Sequence, residues 1–179
     1  MKTLLALLAL LAGCLACSGA DVNWLPLLQE RIPQYGHRNW VVIADSAYPA
    51  QSRGGIETVV SNAGQADVLR GVLDALRASK HVTPILYTDK ELNYLEEKDA
   101  PGIGAYRKEL GQILGSQKVN VLPHLQIIGK LDQVSQTFRV LIIKTNMTLP
   151  YTSVFLQLDC AYWGVEAEKR LRAKMAAAR

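Results

Sequence analysis

The sequence predicts a single α/β domain, because short apolar runs of strand length alternate with longer stretches whose apolar residues recur at helical spacing. At 179 residues, 49% hydrophobic and 20% charged, the chain can close one hydrophobic core without a metal or a disulfide framework. Glycine and proline are near ordinary levels, which excludes collagen-like and low-complexity classes.

Residues 1–13 are set aside first. Lys2 supplies a positive start, Leu4 to Leu11 an apolar run, and Leu11-Ala12-Gly13-Cys14 a small-residue cleavage site ending in cysteine. The run is well short of the roughly 20 residues that span a bilayer. Leu-Ala-Gly-Cys is similar to a bacterial lipobox, so Cys14 is expected to be lipidated and to become the mature N-terminus. Plain secretion, with cleavage nearer Ala20, is the alternative. Residues 14–22 then form a tether and 23–179 the domain. Cys17 and Cys160 alone are too few for a disulfide scaffold, though a bridge between them is allowed.

Trp24 to Ile32 predicts a short helix broken by Pro33 and Gly36. Trp40-Val41-Val42-Ile43-Ala44, ending in Asp45, predicts a strand buried on both faces. Tyr48 to Thr58 is polar and glycine-bearing and reads as a long loop. Asn62 and Gln65 stand at capping-box spacing before Val68, Leu69, Val72, Leu73 and Leu76, which line one face of a helix. Val82 to Tyr87 carries Pro84, hence an edge strand or one bent at that residue. Asp89 to Gly115 reads as helix in two pieces split by Ala100-Pro101-Gly102. Leu122 to Ile128 and Arg139 to Ile143 read as strands, and a turn at Asn146 to Pro150 leads to Val154-Phe155-Leu156. A final amphipathic helix closes the chain.

The charge of +4 does not make a nucleic-acid surface. Lys169, Arg170, Arg172, Lys174 and Arg179 gather at one end, and no basic stripe interleaves with aromatics. That run is either a solvated helix end or a surface for anionic phospholipid. Neither a G-x-S-x-G elbow, a Walker loop nor H-E-x-x-H is present, which argues against those hydrolase classes. His37, His81 and His124 lack metal-ligand spacing.

Two blocks carry more. Gly36-His37 before the strand that ends in Asp45, with Pro49 after it, is one; Lys144-Thr145 followed by Pro150-Tyr151-Thr152-Ser153 before an apolar strand is the other. In order and spacing they resemble the opening and closing motifs of the D-ribose pyranase and L-fucose mutarotase family. Lys144 stands where the family has Arg, Ser153 where it has Asn and Asn146 where it has Gly. The family's later catalytic histidine falls near Gly129 or Lys130, where this chain has none, His124 lying on what reads as the preceding strand.

The resemblance implies a three-layer domain with a mixed, mostly parallel sheet flanked by helices. It also implies cofactor-free interconversion of the anomers or ring forms of a monosaccharide by acid/base catalysis, which the lipobox at Cys14 would place on the periplasmic side of a bacterial envelope. His37, Asp45 and Tyr151 would be catalytic, Lys144 and Ser153 would bind substrate, and no metal or other cofactor would be needed. A lipoprotein that keeps the fold and binds a sugar or a protein without turnover is the alternative. Taken alone, Asp45 could equally cap a turn and Tyr151 pack in a core. The strand between His37 and Asp45 spans roughly 16 Å, so both reach one ligand only if a loop folds back or a second subunit completes the site. Family members resemble homo-oligomeric rings, a decamer among their forms.

Overall fold

The computed structural model describes residues 23–178. The signal segment, Cys14 and Cys17 lie outside the described residues.

The five residues Trp40–Ala44 are all buried, and as β1 they form the third strand of a six-stranded sheet. The other strands are β2 (Ile56–Val60), β3 (Val82–Asp89), β4 (Val119–Leu122), β5 (Val140–Lys144) and β6 (Val154–Cys160), in the order β2-β5-β1-β6-β3-β4. Three pairings are parallel, and β6 runs antiparallel to β1 and β3 on either side of it. The sheet is thus mixed and mostly parallel, and the carboxyl ends of β1, β3, β4 and β5 share one edge with the start of β6.

Side-chain alternation along β1 sorts the helices into two layers. Val41 and Ile43 face one cluster with Leu141, Ile143 and Leu156, covered by α1 (Trp24–Arg31), α2 (Gln65–Ala78) and α3 (Ile103–Leu114). Trp40, Val42 and Ala44 face the other, with Val140, Ile142 and Phe155, under Ile127 and Leu131 of α4 (His124–Val134). The α2 residues Val68, Leu69, Val72, Leu73 and Leu76 are buried as their spacing predicts. Gly71 admits the Trp24 ring, which a Cβ would meet at 2.6 Å. His81 is structural: Nδ1 lies 2.9 Å from the Ser79 hydroxyl, and Nε2 reaches the carbonyls of Ile32 and Tyr35 at the end of α1.

Several expectations are corrected. The end of the 48–58 loop is β2, an edge strand whose entry depends on Gly55; a Cβ there would lie 2.1 Å from the Ser135 carbonyl oxygen. The capping box does not form. Gly64 takes the N-cap without a side-chain bond, and Gln65 turns inward. Asp89–Gly115 does split at Ala100-Pro101-Gly102, but the first piece is a 3-10 helix, Lys90–Tyr94, and only the second is an α-helix. Leu122–Ile128 is not a strand. β4 ends at Leu122, Pro123 cannot donate to a ladder, and Ile127 and Leu131 sit one helical turn apart on the buried face of α4. Pro84 is tolerated because β4 pairs with β3 only from Leu86 onward, leaving that edge open beside it. The last helix, α5 (Val165–Ala177), exists but none of its residues is buried, so its apolar face is left uncovered by the described residues.

Candidate functional site

The carboxyl edge of the sheet is built for polar side chains. Beneath it, Gln65 donates to the carbonyls of Ile43 and Thr152, and its amide oxygen meets the Thr145 hydroxyl. The Tyr106 hydroxyl donates to the Thr152 carbonyl at 2.6 Å. These buried bonds pin the β5–β6 connection from below, so its next residues are held against β1. Ser153 accordingly donates to Asp45 Oδ2 at 3.0 Å, while Asp45 Oδ1 accepts from the Ala47 amide at 3.0 Å.

Tyr151 is held at φ +55°, a left-handed conformation uncommon for a tyrosine. It is 37% exposed, and its ring meets His124 edge-on with centroids 5.5 Å apart. His124 begins α4. Its backbone N–H donates to both carboxylate oxygens of Glu91, at 3.0 and 3.1 Å, which fixes the start of the helix on the segment after β3. The Nδ1 atom lies 3.1 Å from Oδ1 of Asp89, the last residue of β3. That is ion-pair distance without alignment, since neither Asp89 oxygen nor His124 Nδ1 has a directed hydrogen bond.

Asp89 is fully buried. Burial pushes its carboxyl up to about 6, an increase opposed by His124 and reinforced by Glu91 and Asp45. Burial likewise raises the Tyr48 hydroxyl, and the negative charges of Asp89, Asp132 and Asp45 add to the rise. Gln51 opposes that rise, and Tyr48 Oη and Gln51 Oε1 are both buried without an aligned hydrogen bond. Each such group costs on the order of 1–3 kcal/mol when left unpaired. These five atoms fall into two neighbouring pairs at this end of the molecule and its flanking loop, Asp89 with His124 and Tyr48 with Gln51, neither of them well aligned. Groups gathered at that cost are what a hydroxyl-rich ligand satisfies.

The five candidate residues from the sequence divide. Asp45, Tyr151 and Ser153 come together at the carboxyl edge, and Lys144 ends β5 opposite Ala44 in the same register. His37 is exposed at the other end of β1, in a groove of about 720 Å³ with Asp159, Cys160, Trp163 and the first turns of α5. No histidine stands near Gly129, where the family has its later one; His124, the nearest, is a helix start rather than part of a strand. Asp89 and Tyr48 escaped sequence reading: Asp89 ends a run with no motif, and Tyr48 lay in what read as loop. Among the described residues no group of three or more His, Cys, Asp or Glu side chains could hold a metal ion, and no helix is long and apolar enough to cross a membrane.

The model of the RbsD / FucU transport protein family matches residues 25–161. Among solved structures, Bacillus subtilis RbsD complexed with D-ribose is similar at 19% identity and a TM-score of 0.52, over 74% of this chain and 91% of that one. The fucose mutarotase of Streptococcus pneumoniae in complex with L-fucose is similar at 18% identity and a TM-score of 0.51, over 78% and 95%. FucU from Bifidobacterium longum gives 18%, 0.50, 75% and 92%. No curated protein sequence matches the chain.

Proposed function

The chain belongs to the RbsD / FucU transport protein family, and from that membership we propose that it is a cofactor-free monosaccharide mutarotase or pyranase of the bacterial cell envelope. The observation that carries the reading is the set of poorly aligned buried polar groups on Tyr48, Gln51, Asp89 and His124, with the Tyr151 ring against His124 and the charge of Asp45 acting on Tyr48 and Asp89. A sugar offers hydroxyls and a ring oxygen to such atoms, and the half-exposed Tyr151 ring can pack against it. The solved structures of similar fold include one complexed with D-ribose and one with L-fucose, which supports a monosaccharide as the ligand class.

Ring opening needs two proton movements. A base takes the proton of the anomeric hydroxyl, the anomeric carbon forms its carbonyl, the bond to the ring oxygen breaks, and an acid protonates that oxygen; closure on either face reverses the steps. Asp89, with its carboxyl raised towards neutrality, can hold the proton that the ring oxygen receives. His124 lies against it and can exchange that proton. Asp45, steadied by Ser153, accepts a sugar hydroxyl, and Lys144 has reach for another. His37 is the second proton-transfer group, delivered by a second copy of the chain, because on one chain it stands at the opposite end of β1 from Asp45. The protein is therefore a homo-oligomer with sites shared between subunits. It is held to the membrane by lipid on Cys14.

Saturation-transfer NMR on ribose, fucose, galactose and glucose tests the reaction: at least one sugar should exchange anomers or ring forms faster with protein present. If a sugar binds but none exchanges faster, the non-catalytic binding lipoprotein replaces the enzyme. The separation of His37 from Asp45 within one chain is what favours that second reading where assembly fails. Incorporation of a clickable fatty acid by the wild type but not by Cys14→Ser checks the anchor.

A further inference from the structure

The family match ends at Ala161, and α5 follows it. Ten large apolar or aromatic side chains stand exposed among the described residues, and their distribution is uneven. Five lie within 162–175: Tyr162, Trp163, Val165, Leu171 and Met175. Four others are Tyr94 and Tyr151, which with Lys90, Glu91, Leu95 and Pro123 line a depression of about 410 Å³ at the carboxyl edge, and Val121 and Leu125, which flank Pro123 in the chain at the end of β4 and the start of α4. Two separate apolar patches thus occupy opposite ends of the molecule.

Their charges are opposite too. In α5, Lys169 and Arg172 pair with Glu166 and Glu168, and Arg170 and Lys174 are left as surplus cations. From residue 90 to 99, Glu91, Glu96, Glu97 and Asp99 outnumber Lys90 and Lys98. A surface that is apolar and basic at one end and apolar and acidic at the other is complementary to another copy of itself, head to tail.

We propose that the 162–177 segment is a docking arm for a second copy of this chain, its exposed aromatics and the Leu171–Met175 stripe seated on the Tyr94–Leu125 rim of the next copy's site. The arm and His37 share one groove, so docking carries His37 to that mouth and roofs it with Trp163. The inference rests on the sugar-site reading for what is roofed, but not for the contact itself.

Disulfide trapping tests it in the full chain, in mild detergent, with Cys14, Cys17 and Cys160 replaced by serine. Leu171→Cys and Leu125→Cys lie at opposite ends of one molecule and cannot bridge within it. Together they should yield covalent dimers and larger species on mild oxidation, formed only when both cysteines are present, and Leu171→Cys with Arg77→Cys should yield none. Both substitutions are on exposed side chains, and circular dichroism verifies folding. Dimers from Leu171→Cys alone would mean that the arm pairs with itself and would overturn the proposal. So would absence of any bridge, whether the protein floats with phosphatidylcholine–phosphatidylglycerol vesicles, which makes the arm a lipid contact, or does not. Because the readout is covalent connectivity, a ladder without sugar turnover would retain the docking arm and reject only the enzyme.

Discussion

The two ends of β1 are built on opposite principles. At the carboxyl end, Asp45, Asp89 and His124 are drawn into or against the core, and five buried polar atoms on neighbouring side chains lack an aligned hydrogen bond. At the amino end, His37 is exposed, α5 buries nothing, and Tyr162 and Trp163 face solvent. One end has unmet polar capacity, the other unmet apolar surface. Either deficit alone is a cost without function in an isolated chain. The proposed docking, with the amino end of one copy on the carboxyl end of the next and a sugar between them, would relieve both.

The sharpest way to break this comparison is complementation. His37→Ala and His124→Ala should each lower exchange by about 10²- to 10⁴-fold, the range for one acid/base group. Co-expressed in one assembly, the two should recover about a quarter of wild-type activity, because only junctions joining an intact His37 end to an intact His124 end work. Mixed subunits no more active than either variant would mean that the two ends never meet at one sugar.

Much of this contrast was legible in the sequence, but only at one end. The Asp45 and Tyr151–Ser153 blocks were visible because each is a short run of chain beside a strand that resembles a family motif; without that resemblance Asp45 reads as a turn cap and Tyr151 as a core residue. His124 was misassigned because Leu122–Ile128 is a short apolar run, and such a run fits a strand or a buried helix equally until Pro123 is given its weight as a helix start. Asp89 had no local signal at all. Its role comes from β3 running two strands away from β1, with the antiparallel β6 between them, and that order follows from tertiary packing rather than from any nearby residue. β2 was hidden by the glycines before it, whose purpose is the close approach of Gly55 to Ser135. The five-residue apolar β1 and the heptad-like face of α2 needed no such context.

Asp89 sharpens the energetic half of the comparison. A carboxyl whose folded value is raised above its unfolded one binds its proton more tightly when folded. Its stabilising contribution is complete below about pH 4 and is lost as the pH rises through about 6. Asp89→Asn should therefore flatten the fall in stability between those pH values and leave the variant more stable than wild type at pH 8, while impairing exchange. Urea titrations at pH 4, 6 and 8 measure it. A variant that is less stable at pH 8 would mean that the ionised carboxylate is well satisfied in the fold.

Tyr151 gives a smaller, cleaner difference. Tyr151→Ala removes the ring contact with His124 but keeps a Cβ at φ +55°, whereas Tyr151→Gly removes both. The glycine variant should be the more stable of the two by about 1 kcal/mol, the usual cost of a left-handed non-glycine residue after allowing for the greater freedom of glycine in the unfolded chain. Equal stabilities would mean that the turn relaxes out of the left-handed region once the ring is gone.

The smallest expected effect is on the other end. Ending the chain at Ala161 removes α5, but the helix contributes no buried side chain, and its recorded ion pairs are exposed pairs within the segment itself. Such pairs add little to stability, typically about 0.2–0.5 kcal/mol each and only to their own helix. The unfolding midpoint of the monomeric protein, measured by dilute thermal denaturation, should therefore move by no more than about a degree or two, in contrast to the several kcal/mol that truncating a core residue such as Leu69 would cost. A large loss on removing α5 would mean that the helix packs on its own domain, and the unmet apolar surface at this end would then be its own chain's to cover.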